Sequence, residues 1–275
     1  MFKILANRMI VPNLHETVIE APEIAAKARP GQFVILRVED DGERIPLTIA
    51  DWNQNTGAIT VIFSNVGKTT QKLAAAPAGT LIPTAVGPLG NPMAIDLYGQ
   101  VLLVGGCYGI ASIYPIARAL KEKGNGVTIL VEARSGYLLY WEQKLRSVSD
   151  RFLIITRDGS RGLRGHIGLL GKVIAGLPAV PDRVIVNGCN YLMMRGSEES
   201  RPLNIKTMVS LNTLMMDGTG MCGVCRVTVK SSTKFACVDG PHFDGHEVNW
   251  DELARRRKAY LAEEALAYQS SAAEI

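Results

Sequence analysis

Residues 101–109 read Val101-Leu102-Leu103-Val104-Gly105-Gly106-Cys107-Tyr108-Gly109. The opening apolar run is short and has no polar face, which predicts a strand buried on both sides. Two glycines follow at once, and the pattern then predicts a helix from about Ile110 to Lys123. A strand, a glycine-rich turn and a helix open a parallel α/β unit. Such a turn presents helix-N-terminal amides to a pyrophosphate. The spacing is G-G-x-x-G, so this is not the usual dinucleotide fingerprint, and a tight turn before a packed helix competes with the functional reading.

Further strands are expected at Val127–Val131, Phe152–Thr156 and Arg183–Val186, with a helix near Ile167–Gly176. Strands alternating with helices make residues 98–208 an α/β nucleotide-binding domain with a parallel sheet. Glu132 ends the second strand, where an acid can accept hydrogen bonds from an adenosine ribose and favours NAD over NADP. Arg134 and Arg157 lie nearby in sequence and weaken that preference. Cys189 follows the fourth strand, on the side of a parallel sheet that faces the ligand crevice. Taken alone, it and Cys107 read more readily as small buried residues.

Upstream, the pattern changes. Residues 1–97 read as short strands at Phe2–Asn7, Thr17–Glu20, Gln32–Val38, Ile45–Ala50, Ala58–Phe63 and Thr80–Ala85. Turn signals separate them, including Arg29-Pro30-Gly31 and Asp40-Asp41-Gly42. This spacing predicts an antiparallel barrel or sandwich.

Downstream, residues 209–247 hold three of the five cysteines. Asp217-Gly218-Thr219-Gly220-Met221-Cys222-Gly223-Val224-Cys225 is followed, after an interval, by Cys237. The spacing is that of plant-type [2Fe–2S] sites, C-x4-C-x2-C…C, with Asp217 where the first cysteine would stand. Gly218, Gly220 and Gly223 give the loop its conformational freedom. A carboxylate can ligate ferric iron, so Asp217, Cys222, Cys225 and Cys237 form the candidate ligand set. Structural zinc and inert buried thiols are the competing readings. Residues 248–275 read as a C-terminal helix, with Trp250, Leu253, Leu261, Ala265 and Tyr268 on one broad face.

Composition narrows the class. A hydrophobic fraction of 47% and a charged fraction of 20% exclude a disordered chain. A net charge of +4 is too mild to imply a nucleic-acid partner. No apolar run approaches the ~20 residues that span a bilayer. Asn7 and Arg8 fall where a signal peptide would be apolar. An odd cysteine count, mostly clustered, suits a metal or cluster site in a reducing compartment. The expectation is a cytoplasmic protein.

A barrel, an α/β nucleotide domain and a D-x4-C-x2-C…C tail, in that order, resemble the ferredoxin–NADP reductase superfamily. Within it the chain resembles the branch of dihydroorotate dehydrogenase electron-transfer subunits. The aspartate at position 217 draws it closer to the small subunits of NADH-dependent reduced ferredoxin:NADP oxidoreductases, also known as sulfide dehydrogenase small subunits. That resemblance implies FAD held by Arg44-Ile45-Pro46-Leu47-Thr48, by Ile62-Phe63-Ser64 and by Gly67-Lys68-Thr69-Thr70. Thr69 stands where relatives usually have glycine. It implies NAD(H) held by Gly105, Gly106 and Gly109, by Glu132 and Arg134, and by the segment opening at Asp158. The strand end Gly188-Cys189 is implied to lie by the nicotinamide and flavin, which makes Cys189 an active-site residue with no covalent role.

The function implied is hydride exchange between NAD(H) and FAD, with single electrons relayed through a [2Fe–2S] cluster. The implied partner is a larger flavin and [4Fe–4S] subunit, in a heterodimer that carries out electron bifurcation. The run Arg255-Arg256-Arg257-Lys258 is either a contact for that partner or a solvated charge run. A polysulfide or dihydroorotate-linked reductase subunit is the alternative of the same build. A zinc-bearing nucleotide-binding structural subunit is the alternative of another class.

Overall fold

Seven antiparallel strands form first: β1 (Phe2–Val11), β2 (Leu14–Glu20), β3 (Phe33–Arg37), β4 (Ile45–Asn53), β5 (Ala58–Ser64), β6 (Leu81–Ile82) and β7 (Thr84–Leu89). The computed structural model describes residues 1–272. The strand order is β6-β1-β2-β5-β4-β3-β7, a nearly closed barrel. Its core is packed by Ile4, Ile19, Val34, Leu36, Ile49, Ile59, Val61 and Phe63. Two short helices join it: α1 (Pro22–Lys27) and α2 (Lys68–Ala75). The second begins inside the Gly67–Thr70 motif. Thr70 Oγ1 accepts from the Gly67 amide at 2.9 Å and donates to the Gly67 carbonyl at 2.8 Å, which nucleates the helix start.

β3 is the strand that organises the rest. Its period of two sends Val34 and Leu36 into the barrel, while Phe33 and Ile35 join a separate core. That second core contains Cys225, Cys237, Met215 and Leu211, so the barrel wall is also the floor under the cysteine segment.

The second sheet contains β8 (Gln100–Gly106), β9 (Gly126–Ala133), β10 (Arg151–Thr156), β11 (Leu163–Arg164), β12 (Arg183–Asn187) and β13 (Thr207–Ser210). A hairpin of β14 (Arg226–Val229) and β15 (Ser232–Phe235) precedes β16 (His242–Asp244). The sheet order is β11-β10-β9-β8-β12-β13-β16, parallel except for the last pair. Helices α3 (Gly109–Glu122), α4 (Glu142–Arg146), α5 (Leu170–Ala175) and α6 (Asn190–Ser200) serve this sheet.

Three differences from the sequence reading have physical causes. β16 lies within the cysteine segment yet completes the nucleotide sheet, so the two are not separate layers. α6 carries Gly196 and two serines, weak helix formers, and is held by packing of Leu192 and Met193 against the sheet rather than by propensity. The single C-terminal helix is two helices, α7 (Trp250–Arg257) and α8 (Leu261–Ala272). Asn249 caps α7 by accepting from the Glu252 amide at 3.0 Å. Leu253 is buried, but Leu261 is 54% exposed, so the expected common face does not exist. α8 instead lies against α2, and positions 273–275 fall outside the described residues. Among the described residues no helix is long and apolar enough to cross a membrane.

Candidate functional site

The glycine turn and the end of β12 meet at the C-terminal edge of the parallel sheet. A Cβ at Gly109 would collide with the Asn187 carbonyl, so only glycine permits this approach. One at Gly188 would lie 2.9 Å from the Gly106 carbonyl oxygen. Gly105, Gly106, Gly109, Gly188 and Cys189 therefore meet at one edge, the glycines buried and Cys189 exposed. Cys107 and Cys189 are both exposed rather than buried. The barrel joins them there: Ser64 Oγ, at the end of β5, lies 3.9 Å from Cys107 Sγ.

The flavin candidates line a half-open wall of the barrel. A strand in a closed barrel alternates buried and exposed residues, yet Ile45, Pro46, Leu47 and Thr48 are all half-exposed. Next to this opening, Ile62 and Phe63 are buried, and Phe63 stacks on His15 at 5.7 Å. His15 Nδ1 and Asn65 Oδ1 are buried with no hydrogen-bond partner. Burial lowers the His15 pKa, so the ring is neutral. Arg44 is exposed and forms no ion pair among the described residues. Thr69 is buried, and its hydroxyl points to Glu43 at 3.5 Å, which brings the two motifs together and removes Thr69 from the free donors. An apolar wall, orphaned polar atoms and a free guanidinium fit a flavin nucleotide.

Glu132 is differently placed from its expected role. It is 4% exposed, and Oε2 accepts from the Ile167 amide at 2.6 Å. Oε1 accepts from Arg157 at 3.2 Å. Both oxygens are already bonded inside the protein, and the carboxylate ties β9 to Ile167, just before α5. Arg134 and Asp158 are exposed at the neighbouring strand ends. Asp158 accepts from the Ser160 hydroxyl at 2.6 Å, and with Ser135 nearby its carboxyl is held down to about 2.

The four cluster candidates fall into two pairs. Cys225 and Cys237 are buried, and their sulfurs are 3.2 Å apart. Burial and the Cys225 neighbour push the Cys237 thiol up to about 12. Cys222 is exposed and Asp217 half-buried, and the loop joins them: Asp217 accepts from the Thr219 and Cys222 amides, each at 3.0 Å. The Thr219 amide bond leads in holding its carboxyl below the usual range. Among the described residues no three metal-binding side chains converge on one point. Two ligand pairs fit a two-iron cluster, which takes a pair at each iron, better than a tetrahedral zinc site. Gly218 has φ +73°, and a Cβ there would lie 2.8 Å from Leu89 Cδ1 and 3.1 Å from Ile35 Cγ1, so the loop rests directly on β3 and β7.

Sequence reasoning missed what braces this loop. Arg256 donates to the Val224 carbonyl at 3.0 Å, between Cys222 and Cys225, and Arg257 donates to the Asn212 carbonyl at 2.9 Å. These two arginines face the cluster segment, so the run is neither wholly solvated nor simply free for a partner. The signal available was their place one turn beyond the buried Leu253.

A family model described as the iron-sulfur cluster binding domain of dihydroorotate dehydrogenase B matches residues 212–249. The chain is 44% identical over 252 residues to the dihydroorotate dehydrogenase B (NAD(+)) electron transfer subunit homolog of Thermotoga maritima, covering 91% of this chain and 88% of that protein. The chain belongs to this electron-transfer-subunit family. The Enterococcus faecalis dihydroorotate dehydrogenase B (NAD(+)) electron transfer subunit is 29% identical over 258 residues, covering 90% of this chain and 97% of that one. A chain from the structure of an NADH-dependent reduced ferredoxin-NADP oxidoreductase, studied for flavin-based electron bifurcation, superposes with a TM-score of 0.93. It is 41% identical, over 98% of this chain and 97% of that one. A Neisseria gonorrhoeae ferredoxin NADP+ reductase shares the fold, with a TM-score of 0.59 at 19% identity over 73% of this chain and 89% of that one. The family member described here is thus a redox subunit of ferredoxin-reductase fold with an iron–sulfur domain.

Proposed function

We propose that this subunit takes electrons from NADH at the C-terminal edge of its parallel sheet and passes them through FAD in the barrel. It then delivers them singly, through a [2Fe–2S] cluster, to a larger flavin and [4Fe–4S] subunit of an electron-bifurcating ferredoxin:NADP transhydrogenase. The observation that carries this reading is that one barrel meets both other sites. Ser64 touches the glycine turn, and Ile35 and Leu89 floor the cluster loop. The TM-score of 0.93 with a bifurcating oxidoreductase chain supports the partner and the reaction type.

When bound, FAD supplies two-electron exchange with NAD(H) and one-electron release, and the cluster supplies one-electron carriage. The chain's own residues bind and orient. Arg44 offers paired donors to the FAD pyrophosphate. Lys68 and the first amides of α2 add positive charge to it. Pro46, Thr48 and Ile62, on the strand faces turned away from the barrel core, would border the ring, with Ile45, Leu47 and Phe63 packed behind them and Ser64 and the Gly67–Thr70 turn at the edge. Gly105, Gly106 and Gly109 let the dinucleotide approach the backbone. Gly188 and Cys189 line the nicotinamide side. Arg134 and Asp158 border the adenosine end, and Glu132 fixes Arg157 beside them. Asp217, Cys222, Cys225 and Cys237 hold the cluster.

The test is an anaerobic NADH titration of the purified chain, followed by visible absorption. The expected result is a yellow-brown protein that bleaches stoichiometrically. Colourless protein containing only zinc would overturn the electron-transfer reading. Bleaching by NADPH alone would overturn the assignment of NAD(H) to this edge.

A further inference from the structure

The glycine turn carries one large side chain, Tyr108, to which the proposed function gives no part. Its Oη donates to the Gly188 carbonyl at 3.1 Å and accepts from Asn212 Nδ2 at 2.6 Å. The Asn212 carbonyl in turn accepts from Arg257 at 2.9 Å. Gly188 immediately precedes Cys189 at the end of β12, and Asn212 opens the iron–sulfur domain. One hydroxyl therefore links three segments far apart in sequence. Burial pushes the phenol up to about 12, so it remains a donor across the working range.

The loop it holds is otherwise fixed by backbone packing, with Gly188 against Gly106 and Asn187 against Gly109. Asn187 Nδ2 donates to Ser112 Oγ at 3.0 Å, but Asn187 Oδ1 and Asn190 Oδ1 are buried with no partner. Unpaired buried acceptors are costly, so the turn is not held by its own side-chain hydrogen bonds alone. The Tyr108 hydroxyl adds a polar anchor to that packing, fixing the turn at the Gly188 carbonyl. Phenylalanine would fill the same space, so it is the hydroxyl, used both as donor and acceptor, that supplies the anchor.

We propose that Tyr108 is a positioning residue for pyridine-nucleotide binding: its hydroxyl sets the Gly188–Asn190 turn by pinning it to Asn212. This rests on the assignment of NAD(H) to that edge.

The experiment uses the full chain with its bound cofactors, titrated with NAD+ by calorimetry, for the wild type, Tyr108→Phe, Asn212→Ala and the double variant. Tyr108→Phe is expected to weaken NAD+ about tenfold, or about 1.4 kcal/mol, with flavin and iron contents unchanged. Amides 188–190 should exchange about tenfold faster. Because both single variants break one chain of bonds, the double variant should bind no more weakly than Tyr108→Phe. NAD+ affinity within twofold of wild type in Tyr108→Phe would overturn the proposal, whether or not the variant loses cofactor or melting temperature. Additive losses in the double variant would equally overturn it. If the wild type itself binds no NAD+, the nucleotide assignment fails first, and the inference falls with it.

Discussion

The nucleotide edge and the cluster loop are both glycine-rich turns, and they are held in opposite ways. At the nucleotide edge the glycines are where backbone meets backbone: Gly109 abuts the Asn187 carbonyl and Gly188 abuts Gly106. In the cluster loop the glycines are where the chain turns left-handed, with φ of +73°, +83° and +66° at Gly218, Gly220 and Gly223. There Cys222 is exposed, and Met221 is 89% exposed. Backbone packing specifies the first turn. The second is half specified, by the buried Cys225–Cys237 pair and by Asp217 closing its own loop. A bound cluster would supply the rest of its geometry, since metal binding and local order are coupled.

The largest effect should come from removing that completing ligand. Cys225→Ser or Cys237→Ser should lose essentially all cluster iron, read by iron content and visible absorption. Amides 217–225 should then exchange faster, while those of Gly105–Gly109 stay protected. Equal loosening of both turns would break the contrast. Next in size is Gly109→Ala. The added methyl has backbone carbonyl on one side and no flexible neighbour to displace, so we expect about 3–4 kcal/mol of destabilisation. Urea unfolding checks this, and the NAD+ response should vanish while the cluster spectrum persists in the folded fraction.

The same contrast explains what could be read in the sequence. The strand Val101–Val104, its glycine turn and the barrel strands follow from period and turn chemistry, which are local. The cysteine spacing was legible because ligand spacing is set by a loop's own geometry. What escaped was non-local. The two faces of β3 look alike in sequence, since Phe33, Val34, Ile35 and Leu36 are all apolar, and only the fold shows that alternate residues serve different cores. The inward reach of Arg256 and Arg257 depends on carbonyls 32 and 45 residues away in sequence, and nothing in the arginine run itself names those partners. Glu132 was legible as a strand-end acid, but not as one whose oxygens Ile167 and Arg157 would occupy.

A smaller effect sits at the seam between barrel and cluster segment. His242, in β16, has Nε2 3.1 Å from the Gly31 carbonyl and Nδ1 2.8 Å from Ser210 Oγ. A carbonyl only accepts, so Nε2 carries the proton and Nδ1 accepts from Ser210. Burial lowers its pKa to about 4, from 6.5. The unfolded chain therefore binds this proton first as pH falls. The stabilisation is fully present above pH 6.5 and is lost progressively down to pH 4, roughly 3 kcal/mol in all. His242→Gln should flatten that part of the pH–stability curve, measured by chemical unfolding. An unchanged slope would mean that the seam is not sealed against protons.

The smallest structural change should have the most specific readout. Asp217 bonds to two amides of its own loop, and this fold-closing role would survive whether or not it touches iron. The two roles separate in Asp217→Cys. A thiolate donates more electron density to ferric iron than a carboxylate, so if Asp217 is the fourth ligand the substitution lowers the cluster midpoint in a redox titration, with iron content retained. If Asp217 only closes the loop, the midpoint stays put, and the loss of two amide acceptors appears instead as faster exchange at Thr219 and Cys222. The loop pair and the buried pair would then differ in kind: Cys225 and Cys237 as ligands placed by packing, and Asp217 as a turn residue with only Cys222 beside it reaching the metal.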